Sequence, residues 1–385
     1  MAAKLADALR PSPLTRAQSK HKRRNRLWQG IPGIAVTAKG RIFVAWYTGG
    51  TGEGLDNFVA VAFSDDNGAH WSDAEWVVDP AAAIPGIRAF DECLWYSPEG
   101  EIWLFWSQCR CRWNLDCFDG RNGVWCSRLP NPDAPVGEWR WSAPRRIADG
   151  VMLNKPAVLA DGTWALPVSV WNRVKLPGDN DSRGIRSRRA DRGAKMVVSR
   201  DRGVTFTEYG KCLIPLDTGL FDEHTIVEFP DGSLKMFIRR TPWGNQESVS
   251  NDGGRTWSKP IRSDIDGPCS RLWIRRLNSG RLMLVYNDSG IARKRVRMTA
   301  FLSDDDGKTW YGGLVLDPRI EVSYPDGQQT ADGSIWIVHD CERNGSGEIV
   351  VSHITEEDVA AGKLISPQSR LRIVASRLPA RPAKK

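Results

Sequence analysis

A chain of 385 residues, 41% of them hydrophobic and 36 of them glycine, has enough apolar material for two ordinary cores or one large β or α/β architecture. Its net charge of +8 gathers partly in KHKRRNR (20–26) and RPAKK (381–385), and no nucleic-acid module accompanies that charge, so nucleic acid is not an expected partner. No run approaches the roughly 18 apolar residues of a membrane helix, and no membrane span is expected.

Residues 1–27 read as a basic arm outside the fold. They contain no apolar core of a secretory signal, which leaves a cytoplasmic location as the default expectation. From residue 28 the chain repeats itself. TAKGRIFVAW (37–46), SPEGEIWLFW (97–106), LADGTWALPV (159–168), FPDGSLKMFI (229–238), LNSGRLMLVY (277–286) and TADGSIWIVH (330–339) each set a glycine turn before an alternating apolar strand. Their glycines, Gly40, Gly100, Gly162, Gly232, Gly280 and Gly333, are spaced by 60, 62, 70, 48 and 53 residues. A serine closes the next strand of each unit: Ser64, Ser127, Ser199, Ser250, Ser303 and Ser352.

Four of those serines open a second motif: SDDNGAHW (64–71), SRDRGVTF (199–206), SNDGGRTW (250–257) and SDDDGKTW (303–310). The aspartate caps local N–H groups, the glycine takes a left-handed conformation, and the aromatic covers the turn. This is turn chemistry rather than catalysis. Six units in phase predict an all-β, six-bladed β-propeller over residues 28–375, with 376–385 as a C-terminal tail. Two stacked β-sandwiches would not account for the phase. Helical period is confined to TEEDVAAGK (355–363). Cys109, Cys111, Cys117 and Cys126 cluster in CRCRWNLDCFDGRNGVWC without paired C-x2-C knuckles, so buried thiols are expected ahead of a disulfide or a metal site, and no metal or cofactor is expected.

The turn glycines serve as a ruler. Nine residues before them stand Ile31, Asp91, Leu153, Glu223, Arg271 and Tyr324; seven after stand Tyr47, Ser107, Ser169, Arg239, Asn287 and Asp340. Innermost propeller strands line the axis, so these polar sets should converge at one end of the channel and mark a binding site. His224 and His339 lie beside ring positions and should point away.

VSYPDGQQTADGSIWIVHD and DEHTIVEFPDGSLKMFIRR, together with the four Asp-box turns, resemble the sialidase (neuraminidase) superfamily from about residue 28 to 370. The resemblance implies Tyr324 as nucleophile, Glu223 as its base partner, and Arg239 and Arg295 as ligands of a substrate carboxylate. Arg293 and Arg297 compete with Arg295, and Arg240 with Arg239. Asp340 matches an acid that steadies an arginine. Asp56, in GTGEGLDNFVAVAFSDD, sits where the family keeps its acid/base aspartate, with Glu53 as the fallback. Asp91, Asn154 and Arg271 are further candidate substrate contacts.

The implied activity is release of a terminal α-linked sialic acid or related acidic sugar from a glycan. A carboxylate nucleophile would be repelled by a carboxylate on the anomeric carbon, whereas a neutral phenol deprotonated by a glutamate would not. Arginines hold such a carboxylate through charge-assisted bonds. One departure stands out: where the family has an arginine before Ile-Pro, this chain reads WQGIPG, with Gly30 there. Arg271 or Arg26 could take its place. Alternatively, the chain is a sialidase-like glycosidase or lyase of a uronic acid, ulosonic acid or rhamnose type, or a non-catalytic glycan-binding propeller. The last is favoured if neither Asp56 nor Glu53 reaches the channel.

Overall fold

The computed structural model describes residues 10–111, 122–171, 192–215, 217–219, 221–290 and 293–380. Six antiparallel sheets form around one axis. Their innermost strands are Trp28–Val36, Ile87–Tyr96, Ala157–Val158, His224–Glu228, Trp273–Arg276 and Val322–Gln329. Each is followed by the hairpin partner that the ruler motif predicts: Ile42–Gly49, Ile102–Arg110, Trp164–Val170, Leu234–Arg239, Leu282–Asn287 and Ile335–Cys341. The turn glycines take φ between +80° and +88°, the left-handed conformation that a side chain would penalise. The predicted helix is Glu356–Ala361, started by a Thr355–Asp358 capping box and stopped by Gly362 at φ +66°.

The Asp-box turns are built alike. In the turn at 303, Ser303 Oγ donates to Asp305 Oδ1 (2.8 Å) and accepts from Gly307 N (2.8 Å), while Asp305 accepts from Thr309 N (2.8 Å). Hydrogen bonds from Thr309, and their equivalents in three other blades, hold Asp66, Asp201, Asp252 and Asp305 down to about 2.

Ring closure differs from the expected plan. Residues 1–27 are not all outside the fold: Thr15–Arg16 pairs with Trp76–Val78 as a fifth, outer strand of blade one. His21 and Arg26 are buried in that arm, and Leu378 of the expected C-terminal tail is buried too. The pairing gives the rim strand of blade one a backbone partner. Blade six shares no strand with blade one. Its side chains reach across instead: Asp340 accepts from Ile31 N (2.8 Å), Asp326 from Ile34 N (2.9 Å), and Gln328 both accepts from Val36 N (2.9 Å) and donates to Val36 O (2.7 Å). These satisfy backbone groups that would otherwise be orphaned at the seam.

Candidate active site

The channel end that carries the ring residues is shaped by three bulges. Strand register shifts between Gly30 and Gly33, between Phe90 and Cys93, and between Ser323 and Asp326. At each, a non-glycine residue sits at positive φ: Ile31 (57°), Asp91 (46°) and Tyr324 (56°). Such positions are strained, and a bulge re-aims the side chain it carries. Tyr324 is thereby set among residues of blades four, five and six.

Tyr324 is 5% exposed. Its Oη accepts from Arg239 Nη1 at 2.8 Å and donates to Glu223 Oε1 at 3.3 Å, and Arg239 Nη1 also lies 2.5 Å from Glu223 Oε1. Burial, reinforced by the Glu223 charge and opposed by Arg239, pushes the phenol up to about 12. Burial works against the Arg239 charge, but Glu223 and Tyr324 hold it well above its ordinary value. Arg239 is further fixed by donation to Cys269 Sγ (3.1 Å) and by the Phe221 ring, 4.9 Å away. Its neighbour Arg240 turns to Trp243.

Among the described residues, four guanidiniums lie around the Tyr324 ring: Arg343 at 5.0 Å, Arg295 at 5.2 Å, Arg271 at 5.4 Å and Arg239 at 6.0 Å. Of the three competing arginines, Arg293 stacks on Trp243 and Arg297 faces Asp288, leaving Arg295 toward Tyr324, with one donor on Cys269 O (2.9 Å). Arg271 serves another purpose than the ligand contact expected of it. It is 1% exposed and donates to the carbonyls of Leu153 (2.6 Å), Pro32 (2.9 Å) and Tyr324 (2.9 Å), tying blades three, one and six across the axis.

Asn154, also expected at the ligand, is buried and donates to His224 O (2.7 Å). Asp340 is wholly buried and accepts from Ser323 Oγ (2.6 Å) as well as Ile31 N, with Arg343 Nε at 3.5 Å. It faces an arginine rather than open space. Asp91 is buried within the same cluster; burial, with the Glu223 and Glu53 charges behind it, pushes its carboxyl well above the usual range.

Asp56 is exposed on the loop after Ile42–Gly49, packed beside Gly50. Glu53, the fallback acid, is the residue of that loop tied to the cluster, with Oε1 3.4 Å from Arg343 Nη1. Arg26 does not reach in: it donates to His21 O (2.9 Å), pairs with Asp73 and lies over Trp46. Cys109, Cys111 and Cys126 are buried, and Cys117 lies outside the described residues.

The second ring has a different meaning from the one its polarity suggested. Ser107 accepts from Met152 N (3.3 Å), Ser169 donates to Asp222 O, Asn287 donates to Val322 O (2.9 Å), and Asp340 accepts from Ile31 N. Each clasps the next blade, because the end of a second strand abuts the start of the neighbouring inner strand. Arg239, of the same ring, instead donates to the Tyr324 hydroxyl. His224 and His339 point away, to Lys195 O (2.9 Å) and Asp317 (3.1 Å).

Sequence reasoning did not single out Arg343, whose guanidinium lies over the Tyr324 ring with Nε 3.5 Å from Asp340. The one signal toward it was Asp340, matched in sequence to an acid that steadies an arginine. A cavity of about 1180 Å³ opens at the other end of the channel, among Trp95, Trp273, Gln328 and the turn residues Gly40 and Asp332.

Residues 40–337 match the model of the BNR repeat-like domain. No curated protein sequence matches the chain. Among solved structures, a protein of unknown function from Dyadobacter fermentans is similar at TM-score 0.63 and 15% identity, covering 89% of this chain and 97% of that one. The intramolecular trans-sialidase from Ruminococcus gnavus, in complex with oseltamivir carboxylate, is similar at 0.65 and 14%, covering 89% and 97%. The leech intramolecular trans-sialidase is similar at 0.64 and 14%, covering 92% and 71%. With a family match spanning most of the chain and six blades of the same build, the protein belongs to the BNR repeat-like family, as a sialidase-like β-propeller.

Proposed function

We propose that the chain is an exo-acting glycoside hydrolase that releases a terminal acidic sugar, of the α-linked sialic acid type, through Tyr324. The observation that carries this reading is the Tyr324 hydroxyl lying 3.3 Å from Glu223 Oε1 and 2.8 Å from Arg239 Nη1 in a buried setting. A phenol at about 12 is neutral at physiological pH and needs a base. Glu223 takes the proton as Tyr324 Oη bonds to the anomeric carbon, and Arg239 stabilises the phenolate character that develops.

As that bond forms, the bond to the leaving oxygen breaks, and a carboxylic acid must protonate that oxygen. The 50–57 loop supplies it. Glu53 is engaged with Arg343 at 3.4 Å, so Asp56, the other carboxylate of that loop, is assigned the acid. Water then hydrolyses the tyrosyl-glycosyl intermediate with Asp56 as base and Tyr324 as leaving group, and the configuration is retained. Arg239 and Arg295 face the substrate carboxylate.

The test is Tyr324→Phe assayed on a fluorogenic α-sialoside. The change keeps the ring and removes only the nucleophile, so kcat should fall by at least about 10²-fold with the fold intact by circular dichroism. A variant retaining a tenth or more of wild-type kcat would count against the tyrosine mechanism.

A further inference from the structure

We propose that Arg343, reaching over from blade six, is a carboxylate-binding arginine of this site, and that Gly30 is the vacancy in blade one through which it reaches. The proposal rests on the reading of the site as one that takes an acidic sugar. Arg343 follows the strand Ile335–Cys341, yet its stem lies over the first strand of blade one. A Cβ built on Gly30 would stand 2.2 Å from Arg343 Cδ, 2.6 Å from its Cγ and 3.1 Å from Asp340 Oδ2. Gly30 does not have a left-handed φ, so its backbone would accept other residues. What the position requires is space.

The neighbouring groups fit a guanidinium held in place with one face left for a ligand. Asp340, pinned by Ser323 and Ile31 N, lies 3.5 Å from Arg343 Nε. The other contact, Glu53 at 3.4 Å from Nη1, is a 51% exposed side chain on the rim, which an incoming anion can displace. Arg343 itself is 16% exposed.

Charge accounting points the same way. Glu223 answers Arg239, and Asp340 answers Arg343. Among the described residues no carboxylate lies in ion-pair range of Arg295, which stands 5.2 Å from the Tyr324 ring with one donor on Cys269 O. Arg295 and Arg343 thus present guanidiniums on one phenol, the first without a carboxylate partner and the second with an exposed, displaceable one in Glu53. A planar carboxylate borne on the reacting carbon of a sugar is the ligand chemistry that fits this pair.

The experiment uses the full chain and measures binding of a 2,3-unsaturated sialic acid and of its methyl ester by calorimetry. The wild type should prefer the acid. Arg343→Ala and Gly30→Ala should each weaken acid binding by about 10- to 100-fold, the worth of a charge-assisted bond, while ester binding stays within about twofold. In the double variant Gly30→Ala should add little to Arg343→Ala, because both contacts shorter than 3.0 Å that the new methyl makes are with that arginine.

An unchanged acid-to-ester ratio in Arg343→Ala would overturn the proposal, as would additive losses or a wild type with no preference for the acid. Ester binding that survives in the variants separates lost recognition from lost folding. Because no turnover is read, the outcome is independent of whether Tyr324 is the nucleophile.

Discussion

Glu223→Gln offers a test in which stability, ionisation and activity should move in linked directions. The side chains of Glu223 and Arg239 are 3% and 7% exposed and meet at 2.5 Å, so water screens them little. Removing one charge strands the Arg239 guanidinium in a buried setting, and breaking such pairs costs about 3–5 kcal/mol. At about 2.1 cal/mol/K per residue, a chain of 385 residues unfolds with an entropy near 0.8 kcal/mol/K, so Tm should drop by about 4–6 °C. The Tyr324 phenol should move the opposite way from instability: with the Glu223 charge gone and Arg239 still present, it should fall from about 12 toward its ordinary value.

Hydrolysis should fall by about 10²- to 10⁴-fold despite the more acidic phenol, because no base remains to take its proton. Calorimetric melting, ultraviolet difference titration against Tyr324→Phe, and turnover of a sialoside read the three effects. The pairing can be isolated with Glu223→Gln/Arg239→Met, which removes both charges and should recover about 2 kcal/mol or more relative to the sum of the single changes. A coupling below about 0.5 kcal/mol, or a phenol that rises in Glu223→Gln, would refute the assignment of this trio as one electrostatic unit.

Other consequences follow from the same geometry. Arg271→Met should lower stability by at least about 3 kcal/mol, since three buried carbonyls lose their donor at about 1–3 kcal/mol each, and denaturant unfolding will measure it; a variant within about 1 kcal/mol of wild type would show that the hub is dispensable. Burial holds His224 down to about 4, below its unfolded value near 6.5. A depressed folded value means that its contribution is complete above pH 6.5 and is lost as pH falls toward 4, about 3 kcal/mol in all. His224→Gln should therefore flatten the decline in Tm across that window, and a decline as steep as the wild type's would remove His224 as its cause. Asp56→Asn should slow release of poor leaving groups far more than that of an activated aryl group, because only the former need the proton, and equal effects on both would exclude Asp56 as the acid.

The repeat made the fold legible because its two motifs are local: a glycine at φ near +80° and a serine–aspartate turn each satisfy their own backbone within eight residues. The ruler located Tyr324, Glu223 and Arg239 because inner strands of a propeller keep common phase. It could not say which ring residues face a ligand. Asp340, Ser107, Ser169 and Asn287 share a polar position because blade ends need clasps between neighbours, and a polar side chain bonded to the next blade reads in sequence like one turned to a substrate. Arg271 is the same ambiguity in a larger side chain: its length suits a carboxylate, but it spans the axis to reach three carbonyls instead.

Ring closure explains why Arg343 escaped notice. Its contact with blade one joins residues more than 300 apart, and no local period relates them. The two sequence facts that mattered, a glycine where bulk was expected and an acid kept beside its absence, are complementary halves of one packing arrangement. Read separately, Gly30 looks like a lost arginine and Asp340 like an acid without a purpose. In three dimensions the absence of a side chain in blade one is what lets the arginine of blade six stand next to Asp340 and over the Tyr324 ring.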